Sequence, residues 1–299
     1  MWLLLAFTSA VLLGLYDVAK KQSLKDNAVL PVILLNTLFS SLFFLPVIVS
    51  AECGLGWFDG TILEMPRGDG RAHALVAIKS AIVLTSWIFG YCGIKHLPIT
   101  IAGPINATRP VMVLVGAMLV FGERLNALQW VGVLLAVVSL FMLSRAGKRE
   151  GVDFTHNVWI ACVLMSAVTG AVSGLYDRYI MRELDSVFVQ SWYNLYQLAM
   201  MSVTVGIMTL LRPSSRVQFR WTWAIPMISV LITGADFAYF SALSKPEAMI
   251  SIVSMIRRGS VVVSFACGAL LFREKNLRSK AVDLALILTG MVFLYLGSK

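Results

Sequence analysis

Charge is what this chain has least of. Asp, Glu, Lys and Arg make up 14% of its 299 residues, where a soluble domain carries about a quarter. Hydrophobic residues make up 58%, and the mean hydropathy is +0.80. A soluble globular protein is thereby excluded. Cysteine is scarce as well: Cys53, Cys92, Cys162 and Cys267 stand far apart with no CxxC or Cys/His spacing, so neither a disulfide framework nor a metal site follows. The three histidines, His73, His96 and His156, fall near the ends of apolar runs, and no HExxH or GxSxG occurs, which argues against a membrane-embedded enzyme. Acidic residues trail basic ones, 16 against 25. In so apolar a chain that excess belongs to loops and anionic lipid headgroups rather than to nucleic acid. No cofactor is implied.

What the chain has in abundance is long apolar runs. Each is roughly 20 residues, enough at ~1.5 Å per residue to cross a hydrocarbon core ~30 Å thick as a helix. Period-2 alternation is absent, so helices rather than a closed barrel satisfy the backbone in lipid. The first run lacks a basic leader and reads as a retained helix. Charge clusters divide the chain into ten predicted spans, at 2–20, 28–50, 72–95, 98–121, 125–144, 156–181, 186–211, 220–244, 246–272 and 277–297. The longest connection, 51–70, is rich in glycine and acids, and 146–153 links two halves, 1–145 and 154–299.

Those halves repeat each other. GLYD stands at 14–17 and again at 174–177, and T-x-x-x-F-x-Y ends once at Tyr91 and once at Tyr239. Pro98 heads one span and Pro246 another, VFGERL at 120–125 matches LFREKN at 271–276, and Asn36 and Asn194 fall at similar points of spans 2 and 7. With five spans per half, the second half enters the membrane from the opposite side, as an inverted-topology repeat. The expected fold is an all-α membrane protein of ten transmembrane helices in two inverted five-helix repeats.

These motifs resemble the drug/metabolite transporter superfamily, specifically its EamA-type bacterial members. The resemblance covers nearly the whole chain. It implies a ten-helix carrier of small polar metabolites such as amino acids in a bacterial inner membrane, with a cavity between the halves and alternating access. Many relatives have an arginine in the second span where this chain has Asn36, so a relative's substrate does not carry over. Lys and Arg concentrate in the connections after the odd-numbered spans, which by the positive-inside rule puts both termini outside, whereas the resemblance implies cytoplasmic termini. The expected partners are the lipid bilayer and a small-molecule substrate, with the chain a monomer or a homodimer.

Charged residues inside the spans are the best pointers to a site, because a charge at the bilayer centre costs about 2.5–3.5 kcal/mol even on lenient scales. The basic ones are Lys79, Arg109, Arg178, Arg257 and Arg258; the acids are Asp17, Asp177, Asp236 and Asp283. Arg109 lies near the middle of span 4, and Arg257 with Arg258 near the middle of its counterpart, span 9. Asn106 is one turn from Arg109, and Ser254 is three and four residues from the arginine pair, so each has a polar neighbour on its own face. Guanidinium presents a planar fork of donors suited to carboxylate or phosphate. Neighbouring helical residues point about 100° apart, so only one of Arg257 and Arg258 is expected to face a cavity centre. Asp236, the deepest acid, is left with three roles: pairing with an arginine of span 9, binding a substrate amine, or carrying a coupling proton.

The aromatic residues Trp87, Tyr91 and Tyr239 are candidates to line a path, together with Asn36 and Asn194. Asp17 has Lys21 four residues on, a spacing that allows an intrahelical ion pair; Asp177 has Met181 there. Tyr16 with Asp17 and Tyr176 with Asp177 therefore read either as helix-end structure or as a gate at each mouth. Gly103–Pro104 and Pro110 are expected to interrupt span 4, exposing backbone carbonyls. With no Walker A motif, energy would come from proton coupling or exchange. The chief alternative to a metabolite carrier is a flippase for a lipid-linked phosphate.

Overall fold

The computed structural model describes residues 2–112, 125–148, 154, 156–180, 183–211, 219–243, 253, 256–272 and 277–297. Ser254, Glu123, Glu274 and Pro246 lie outside the described residues. Among the described residues there are ten α-helices: α1 Trp2–Ser23, α2 Val29–Cys53, α3 Gly70–His96, α4 Ile99–Ala107, α5 Ala127–Lys148, α6 Val158–Ile180, α7 Ser186–Leu211, α8 Ala224–Leu243, α9 Ser260–Leu271 and α10 Leu277–Gly297.

Their boundaries follow from local chemistry. Asp69 caps α3, its carboxylate accepting from the Ala72 N–H at 2.8 Å. Asp185 does the same for α7, accepting from Val187 and Phe188. Asn126 and Gln129 bond each other's backbone reciprocally at the start of α5, a capping box. Gly54 ends α2 in the left-handed conformation, φ 66°, which glycine adopts without a Cβ penalty.

Six helices, α1, α2, α3, α5, α6 and α10, are long and apolar enough to cross a membrane. Helix α7 has the length, but Gln190, Asn194 and Gln197 lie on its buried side. Helices α4 and α9 are shorter within the described residues, and each is bounded by a turn. The α4 ladder breaks at Thr108, whose N–H bonds Ile105 O and whose carbonyl takes the N–H groups of Val111 and Met112. Pro110, lacking an N–H and clashing with the carbonyl four residues back, accounts for that break. Gly103 and Pro104, expected to interrupt the helix, instead lie inside α4. On the other side, helical residues 256–258 turn at Gly259 before α9 begins. Both turns are therefore immediate neighbours of the span-centre arginines.

Packing pairs helices across the halves. Helix α1 lies along α8 and α3 along α6; α2 meets α7, α4 meets α9 and α5 meets α10; α1 also touches α9, as α6 touches α4. Exchanging each helix for the one five places along the chain maps these contacts onto themselves, the internal symmetry expected of two related repeats. Small residues set the closest approach, as in membrane bundles generally. A Cβ on Gly132 of α5 would come within 2.7 Å of the Gly290 carbonyl oxygen on α10, and one on Gly290 within 3.0 Å of the Gly132 oxygen. Large apolar residues such as Leu4, Phe7, Leu134, Val137 and Val168 face outward, where lipid rather than water is the favourable solvent. The chain is a multi-pass membrane protein.

Candidate functional site

Helix α3 is held near both ends by the two helices that carry the GLYD motifs. At its C-terminal end, Lys21 of α1 donates to the carbonyls of Ile94 and Leu97 at 2.6 and 2.5 Å, the usual role of a lysine at orphan carbonyls. Nearer its N-terminal end, Tyr176 OH of α6 donates to Leu75 O at 3.1 Å, and Asp177 forms an ion pair with Lys79. The partner the structure gives Asp17 is Lys20, three residues on at 2.6 Å, rather than the Lys21 that spacing suggested. Asp177 is not the partnerless acid its sequence neighbourhood implied, because its cation comes from another helix.

Between these ends lies a polar interior. Tyr16 OH bonds Tyr91 OH at 3.3 Å, the Asn36 amide donates to the same phenol at 3.2 Å, and Ser229 Oγ donates to Asn36 Oδ1 at 2.9 Å. This chain runs through α1, α3, α2 and α8. Lys20 Nζ stands 4.4 Å over the Tyr16 ring, and Trp87 stacks at 6.3 Å on Tyr91. Opposite, Asp236 of α8 pairs with Arg257 through Oδ1 and accepts from Tyr193 OH through Oδ2 at 3.2 Å. The Arg257 guanidinium lies 4.3 Å from the Tyr239 ring centroid. Asn194 does not mirror Asn36: its amide bonds the Gln190 carbonyl of its own helix.

Arg109 is placed by its neighbours. Its Nη2 donates to Asn106 Oδ1 at 3.1 Å and Ser166 Oγ at 3.2 Å, while Nε has no partner among the described residues. Glycine at 170 makes room for it, since a Cβ there would sit 2.6 Å from the guanidinium carbon. The obstructed atom is the end of a flexible side chain, so Gly170→Ala is expected to shift Arg109 rather than the helices. The expected result is an unfolding temperature within about 2 °C of wild type, as for a change of under ~0.5 kcal/mol.

The two groups belong to one electrostatic neighbourhood: Arg258 is within reach of Arg109, Arg257 and Asp177, and Arg109 is within reach of Asp17 and Lys20. Side-chain exposure rises from 14% at Asp236 to 39% at Asp177, so the Asp177 end is the more open. Of the residues singled out by sequence, the structure gathers Arg109, Asn106, Arg257, Arg258, Asp236, Tyr16, Asp17, Tyr91, Asn36, Trp87, Tyr239 and Asp177. Sequence reasoning missed Lys79 as a partner, and Ser166, Ser229 and Gly170 altogether. Depth within a span was the available signal for Lys79; the others depend on which helices touch. Asp283 lies elsewhere, on α10, buried with neither carboxylate oxygen bonded among the described residues.

Comparison with known proteins agrees with this architecture. A solved crystal structure shares the fold at a TM-score of 0.65, covering 97% of this chain and 94% of its own, at 16% identity. An uncharacterized transporter of Archaeoglobus fulgidus is 24% identical over 151 residues, 49% of each chain. The matched region thus spans about half the length of that relative. Residues 1–145 match the model of the EamA-like transporter family. That first half, with its GLYD helix and the Arg109 helix, is thus similar to the EamA-like transporter family.

Proposed function

We propose that the protein is a secondary transporter that carries a small anionic metabolite across a bacterial inner membrane by alternating access, driven by proton coupling or exchange. One observation carries the reading. Among the described residues, the site's three carboxylates are each engaged by one cation, Asp17 by Lys20, Asp177 by Lys79 and Asp236 by Arg257. Arg109 and Arg258 are left over. Two guanidinium groups without a carboxylate, deep in a membrane protein, are costly unless something anionic visits them. The same balance favours an anion over an amino-acid-like zwitterion, because each acid that would greet an ammonium already holds a cation.

Movement follows from the ties at α3. Lys21 on the Ile94 and Leu97 carbonyls at one end, and Asp177 on Lys79 at the other, are bonds that rocking of α1 and α6 would break in turn. Tyr16 with Asp17 and Tyr176 with Asp177 are the gates in this reading.

The test needs no prior substrate. Purified protein is warmed with small carboxylates, phosphates, amino acids and amines in turn, since a ligand of the native state raises apparent stability, by about 2.7 kcal/mol at a hundredfold excess over Kd. Anions are expected to raise the unfolding temperature. Stabilisation by amines and not by anions would overturn the reading; stabilisation only by phospholipid-like phosphodiesters would favour a lipid flippase.

A further inference from the structure

The two leftover arginines are not equivalent to one another, and the difference bears on the charge of what they bind. Arg109 is oriented by Asn106 and Ser166, neutral acceptors that take only its Nη2. Arg258 makes no hydrogen bond or ion pair among the described residues and is partly buried. The Gly259 turn directly after it, and the Thr108 turn directly before Arg109, put both at helix breaks on contacting elements. Like charges brought together in a poorly hydrated interior repel strongly. Nothing on α4 or α9 within the described residues relieves that repulsion, and the nearby acids are already engaged.

We infer that Arg109 and Arg258 together form a binding site for a divalent anionic group, a phosphate monoester or a dicarboxylate, each guanidinium meeting one of its two charges. This rests on the anion-transport reading above and narrows it. One negative charge would leave one of these two guanidinium groups unmatched among the described residues; two would match both. A guanidinium with open donors offers a fork to a pair of oxygens, and two forks approaching from different helices suit a group carrying two formal charges. The carrier's preference is then for valence before shape.

The experiment compares matched pairs that differ in charge and little else: methyl phosphate with dimethyl phosphate, and succinate with its monomethyl ester, by thermal stabilisation and by competition for uptake in proteoliposomes. The divalent member is expected to bind at least ~tenfold tighter in at least one pair. Which pair responds identifies the source of the charge. For methyl phosphate, affinity should also rise as pH is raised through about 6, where the second phosphate proton leaves. In Arg258→Gln the advantage should shrink to within about threefold, the divalent member losing more affinity than the monovalent one; Arg258→Lys, which keeps the charge, should retain most of the advantage. Equal binding of both members in both pairs would overturn the divalent site and leave an anion carrier. Failure of every anion to bind, with Arg109→Gln and Arg258→Gln indistinguishable from wild type, would overturn the anion reading itself. An Arg258→Gln protein that no longer folds would be replaced by Arg258→Met, which also removes the charge and keeps much of the side chain's length, and the divalent advantage should again shrink to within about threefold; an advantage kept there counts against the site.

Discussion

Arg109→Ala is expected to abolish transport, by about a hundredfold or more, in a protein that still inserts and folds. Two facts make the two halves of that expectation separable. The side chain holds nothing together: its bonds go to Asn106 and Ser166, both neutral, and those groups lie at helix contacts already secured by backbone packing. Removing an uncompensated cation from a membrane interior also relieves a desolvation penalty rather than adding one. Truncating one partner of a desolvated charge contact at a binding site, by contrast, typically costs 2–5 kcal/mol, or roughly thirtyfold to several thousandfold. Arg109→Lys should recover a minor part, because a point charge on a flexible stem replaces a fork that reaches two acceptors. Uptake into proteoliposomes of the anion that best stabilises the wild-type protein, alongside size-exclusion profile and unfolding temperature, reads both halves. Normal uptake by a folded Arg109→Ala protein would remove the site.

Much of this geometry was legible in the chain because a membrane simplifies the physics. Apolar runs must be helical and must be about as long as the bilayer is thick, so ten helices and their approximate ends follow from hydropathy and charge alone. The recurrence of GLYD and of the tyrosines at 91 and 239 announced a relation between halves. Arg109 stood out for a similar reason, since a cation far from a span end cannot reach water by snorkelling. What did not follow was who meets whom. Spacing along one helix proposed Lys21 for Asp17; the structure gives it Lys20, and Lys21 closes the end of α3 instead. Asp177 finds its cation on α3, nearly a hundred residues away in sequence. Such pairs depend on the contact of α3 with α6 and of α8 with the segment before α9. No periodicity encodes those contacts. Gly170 is the clearest case: in sequence it is one small residue of a membrane helix, and only the α4–α6 contact shows that its missing side chain is the space Arg109 fills.

Asp236→Ala should be the most destabilising single change in the site, about 3–5 kcal/mol, the usual consequence of removing one partner from a buried ion pair. Asp236 holds Arg257 through one oxygen and accepts from Tyr193 through the other. Its loss leaves a third unmatched guanidinium beside Arg258 and Arg109, adding repulsion to desolvation. The double variant Asp236→Asn with Arg257→Gln removes both charges and should recover most of the stability, since neutral amides of similar size can still bond each other and Tyr193. Unfolding of Asp236→Asn, Arg257→Gln and the double variant in detergent measures this as a double-mutant cycle, and the coupling energy is the double variant's loss of stability minus the sum of the two single losses. The cycle also decides between the roles open to Asp236. A carboxylate whose task is to neutralise Arg257 leaves a stable double variant that transports with the wild-type pH profile. One that carries the coupling proton leaves a double variant equally stable, but with a transport rate that no longer responds to pH. Stability alone cannot separate those two; stability together with the pH profile does, because only the second role requires the Asp236 carboxyl to exchange a proton during the cycle.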